Sequence, residues 1–83
     1  MIESKQQLLE NFRAQARAFV ADPNTLNGIE FDDATVTLKR YVLSELHDEG
    51  LGSTLARFQK LIRTQNLAAL QELVAQVEEA LAD

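Results

Sequence analysis

The chain has 83 residues, no cysteine, one histidine and a net charge of −5. These values exclude disulfide support, thiolate-held zinc and a histidine-rich metal site within one chain, and they oppose the sequence-independent phosphate attraction on which most nucleic-acid binders depend. The apolar content of 46% suits one folded domain over residues 1–83, and no apolar run is long enough to span a bilayer.

The opening stretch MIESKQQLLE lacks the basic flank and apolar centre of a signal peptide, so a cytoplasmic location is expected. The first helix is predicted to open at Ser4, because Ser4 and Gln7 have the spacing of a capping box. Leu8, Leu9, Phe12, Ala16, Phe19 and Val20 then share one face, while Arg13 and Arg17 lie one turn apart on another. Pro23 ends this helix, since it has no amide hydrogen to donate and disfavours helical geometry in the residue before it.

Residues 22–31 read as a turn-rich connection with two turn signals, Pro23-Asn24 and Asn27-Gly28. Leu26, Ile29 and Phe31 are expected to fold this loop back onto the core. The second helix is predicted to start at Asp32, with Asp33 beside the positive helix end and Phe31 and Val36 as a hydrophobic staple. It runs through Leu38, Tyr41, Val42, Leu43 and Leu46, covers more than one face, and should therefore be central to the bundle. Thr35-Val36-Thr37 has β propensity. Gly50 is read as the stop.

A third helix is expected from near Ser53 to Thr64, with Leu55, Phe58, Leu61 and Ile62 inward and Arg57, Lys60 and Arg63 outward. Asn66 is the expected cap of a fourth; without that cap the last two helices would merge into one rod. Leu67, Leu70, Val74, Val77 and Leu81 recur at the three-four spacing of a helical seam, widened by Leu73 and Ala80. A stripe that wide reaches two neighbours at once, which favours packing within the chain with room for a dimer contact. Gln71, Glu72, Gln76, Glu78 and Glu79 form its solvated face.

Few residues suggest chemistry. His47, Asp48 and Glu49 are adjacent, and helical neighbours diverge by about 100°, so they do not converge on one point. Glu45 and Asp48, three apart, converge better, but polar groups at the last turn before Gly50 account for them. Glu30, Asp32 and Asp33 lack the register of a calcium loop. Tyr41 fits a packed ring with a wet hydroxyl. No phosphate-binding glycine loop, dinucleotide fingerprint or Ser-His-Asp arrangement is present.

The expected architecture is all-α: an antiparallel bundle of three to four helices. The expected function is a non-enzymatic protein–protein interaction module of a regulatory or inhibitory kind, with no cofactor and no metal, acting through an acidic helical surface. Its partner-binding residues are predicted as Leu26, Ile29, Glu45, Asp48 and Glu49. The alternative is a helix-turn-helix DNA binder. In that reading Gly50-Leu51-Gly52 makes the turn, and the helix starting near Ser53 offers Arg57, Lys60 and Arg63 to the duplex.

Overall fold

Ser4 caps the first helix as its spacing requires. Its hydroxyl accepts the Gln7 amide hydrogen at 3.1 Å while the Gln7 side chain accepts the Ser4 amide hydrogen at 3.0 Å. The computed structural model describes residues 4–82, so Met1–Glu3 of the opening stretch and Asp83 lie outside the described residues. Five helical segments follow: α1 (Lys5–Ala21), α2 (Thr25–Glu45), α3 (Glu49–Ala56), α4 (Phe58–Thr64) and α5 (Leu67–Leu81). Segments α3 and α4 are separated by Arg57 alone, so four units pack together as a small all-α bundle. None of the helices is long and apolar enough to cross a membrane.

The second helix begins seven residues before its expected start. Asn24 is the cap, accepting the Asn27 amide hydrogen at 2.8 Å, and Asn27 donates to the carbonyls of Asp22 and Ala18. The stretch read as a loop is therefore the first two turns of α2. Asp32 and Asp33 lie inside the helix rather than at its cap, and no Phe31–Val36 staple forms: Phe31 is fully buried and Val36 is exposed. Asn27-Gly28 is not a turn. Gly28 is buried inside the helix, and a Cβ there would stand 3.3 Å from the Phe19 ring and 3.4 Å from Ile62.

The end of α2 also moves. The helix stops at Glu45, His47 takes a left-handed conformation with φ of 52°, and the Asp48 amide reaches back to the Val42 carbonyl at 3.3 Å. Gly50 is thus not a stop; it lies inside α3, which starts at Glu49 rather than near Ser53. Asn66 does cap α5, accepting the Ala69 amide hydrogen at 3.3 Å, so the last two helices are separate. Helix α4 ends in a Schellman pattern, with Asn66 N–H on the Leu61 carbonyl, Gln65 N–H on that of Ile62, and Gln65 left-handed at φ 54°.

Four phenylalanines fill the centre. Phe12 and Phe19 come from α1, Phe31 from α2 and Phe58 from α4, with ring centroids 5.3–6.1 Å apart in tilted and edge-to-face contacts. The predicted central role of α2 holds for three neighbours, since it packs against α1, α3 and α4. The seam of α5 is turned slightly from its predicted axis. Leu70, Leu73, Val77 and Leu81 are buried, Leu67 and Val74 are half-buried, and Ala80 is exposed. Helix α5 packs against α1, α3 and α4 within the chain.

Candidate functional site

The five residues predicted to meet a partner divide into two groups. Leu26 and Ile29 sit on the first turns of α2, not in a loop folded on the core, and are 65% and 61% exposed. Glu45 ends the same helix, and Asp48 and Glu49 follow the connection into α3; all three are exposed. From Leu26 to Glu45 the helix rises about 28 Å, so the apolar and acidic groups stand at opposite ends of α2 and do not form one patch.

The acidic group has a structural task of its own. Asp48 caps α3, its Oδ1 accepting the Leu51 amide hydrogen at 3.0 Å, and Glu49 lies in the first turn beside the positive helix end. These charges favour the start of α3 and do not belong to the last turn of α2, where they were expected. Among the described residues no cluster of His, Asp or Glu has the geometry to hold a metal ion.

Arg57, Lys60 and Arg63 are all exposed, as expected. The helix carrying them is different from the one predicted. Arg57 is the break between α3 and α4, and only seven residues follow before α4 ends. The turn after α2 is Leu46-His47-Asp48, and the two glycines thought to make it belong to α3.

An open groove of about 510 Å³ runs between α1 and α5. Ala16, Val20, Leu70 and Val74 line its floor, with Arg13, Arg17 and Glu78 at the rim. Arg13 is paired with Glu78 at 3.3 Å across the helices; both side chains are about two-fifths exposed, which limits the pair to about 0–1 kcal/mol. Ligand sites bury most of their ligand and place a few polar groups against it, and this groove is open along its length.

The feature that the sequence reading passed over is the outer face of α2. Leu26, Ile29, Val36, Leu43 and Leu46 are large, apolar and exposed, at 37–65%. Ile29, Val36 and Leu43 recur every seven residues, so they fall within about 40° of one another on the helix, well away from the buried Phe31, Leu38 and Val42. The signal was present as this seven-residue period. It was hidden because the first two turns were read as loop. Gly52 also shapes the face: a Cβ there would come within 2.5 Å of a Leu43 methyl, so α3 supports Leu43 from below.

No protein-family model, curated protein or solved structure matches this chain.

Proposed function

We propose that the protein works by binding another protein rather than by catalysis, and that its outer α2 face makes the contact. The single observation that carries this reading is the exposure of Ile29, Val36 and Leu43 along one face of α2, with Leu26 and Leu46 also exposed near its ends. Large apolar side chains left exposed along one helix face mark an interaction surface more often than chance exposure of single residues does. A chain of this size with one working face acts by occupying a surface on its partner, which is the regulatory or inhibitory mode expected from its sequence. The test is photo-crosslinking in the cells that make the protein, with Ile29→p-benzoylphenylalanine compared against Gln76→p-benzoylphenylalanine on the solvated side of α5. A discrete adduct at position 29 and none at position 76 is the expected result. Equal labelling at both positions, or none at either, overturns the reading.

A second reading is duplex binding through Arg57, Lys60 and Arg63, favoured by the exposure of all three at three-residue steps. Salt-sensitive binding that is lost on combining Arg57→Ala with Lys60→Ala would support it, and no binding at low salt would end it. The net charge of −5 weighs against it.

A further inference from the structure

We infer that the outer face of α2 pairs with the same face of a second copy of this chain, in an antiparallel dimer with its two-fold axis at Val36. This rests on the protein-binding reading above and names the occupant of that face.

The argument is the placement of charge around the apolar stripe. Asp32 and Asp33 lie on the N-terminal half of α2, and Lys39 and Arg40 lie on the C-terminal half. On the helical lattice Asp33 and Arg40 flank the stripe on one side, and Asp32 and Lys39 flank it on the other. They are seven residues apart, two turns, which is beyond the one-turn spacing of ion pairs along a helix. Among the described residues none of these four side chains has an ion pair within the chain.

A two-fold axis at Val36 carries each residue to the level of its counterpart equally far on the other side. Asp33 of one copy then comes to within one residue's rise of Arg40 in the other, on the same flank. Asp32 comes equally close to Lys39 on the opposite flank. Because the contact is isologous, each pair forms twice. Val36 meets its own copy, and Ile29 of each helix meets Leu43 of the other. Parallel pairing would set Asp33 beside Asp32 and Arg40 beside Lys39, like charge against like. One helix therefore supplies both members of every complementary pair, and it does so in one orientation only. A single helix pair belongs to the small, reversible class of interface, below about 1,200 Å², so this dimer dissociates on dilution.

The experiment uses the full chain, whose lack of native cysteine makes single-cysteine variants unambiguous. Light scattering is expected to show a mass rising from 9.3 kDa toward twice that value between micromolar and millimolar concentration. Val36→Cys should cross-link to itself under mild oxidation. Ile29→Cys alone should not, whereas Ile29→Cys mixed with Leu43→Cys should. Asp33→Arg and Arg40→Asp should each weaken the dimer at least tenfold, and combining them in one chain should restore it, with circular dichroism confirming the fold of each variant. A mass of 9.3 kDa at every concentration overturns the dimer, as does self-linking of Ile29→Cys as fast as that of Val36→Cys. The in-cell adduct at position 29 separates the two possible failures. A monomer with an adduct to a different protein overturns self-pairing alone, and a monomer with no adduct overturns the protein-binding reading as well.

Discussion

Gly50 lies in the first turn of α3 outside the left-handed region, and a Cβ there would meet only the Asp48 carboxylate at an ordinary 3.5 Å. Glycine in such a place adds backbone entropy to the unfolded chain without a compensating contact. Gly50→Ala should therefore stabilise the protein by about 0.5 kcal/mol, raising the melting temperature by about 2–4 °C in calorimetry. A drop in melting temperature would mean that Gly50 ends a helix after all. Two residues do sit in the left-handed region, Gln65 and His47, the latter at φ 52° and exposed. His47→Gly relieves a conformation that costs an L-residue about 1–2 kcal/mol, part of which is offset by the flexibility glycine gives the unfolded chain. A net gain of about 0.5–1 kcal/mol in urea unfolding is expected. His47→Val, β-branched at the same φ, should lose stability.

At the scale of elements, helix ends are decided by which side chain reaches which amide. Asn24 holds the start of α2 through the Asn27 amide, so Asn24→Ala should cost about 1 kcal/mol. The loss should appear in hydrogen exchange as faster opening over residues 25–28, with Leu38 and Val42 still protected. Uniform acceleration along α2 would contradict this. The same local logic explains what the sequence revealed. Ser4 and Asn66 were legible as caps because each stands directly before an unbroken apolar period, and the seam of α5 was legible to within a small rotation. The start of α2 was not, because Asn27-Gly28 has the composition of a turn, whereas in the fold Asn24 caps the helix and Gly28 lies against Phe19 and Ile62, distant in sequence. The Gly50-Leu51-Gly52 stretch misled for the same reason: Gly52 makes room for Leu43 of another helix. Of the candidate surface, Leu26 and Ile29 were legible as unusual apolar residues. Their continuation in Val36 and Leu43 was not, since it depends on α2 being one uninterrupted helix.

For the whole molecule, the apolar residues of α2 separate by what covers them. Phe31 touches Phe12, Phe19 and Phe58 and is fully buried, so its ring closes the core shared by α1, α2 and α4. A domain of 83 residues has a total stability of roughly 4–12 kcal/mol. Phe31→Ala, at about 3–5 kcal/mol, should leave the protein at the edge of unfolding at 37 °C, seen as loss of the cooperative transition in denaturant. Leu26 and Ile29 occupy the same helix only five and two residues away, yet both are more than half exposed. Leu26→Ser combined with Ile29→Ser should change the stability of dilute protein by no more than about 0.5 kcal/mol per site. The melting temperature of the native chain should rise with protein concentration, because a partner that binds only the folded state stabilises it by mass action, and the double variant should lose that dependence. A concentration-independent melting temperature for the native chain, or a double variant as unstable as Phe31→Ala, would place Leu26 and Ile29 with the core and remove the physical basis for a binding face on α2.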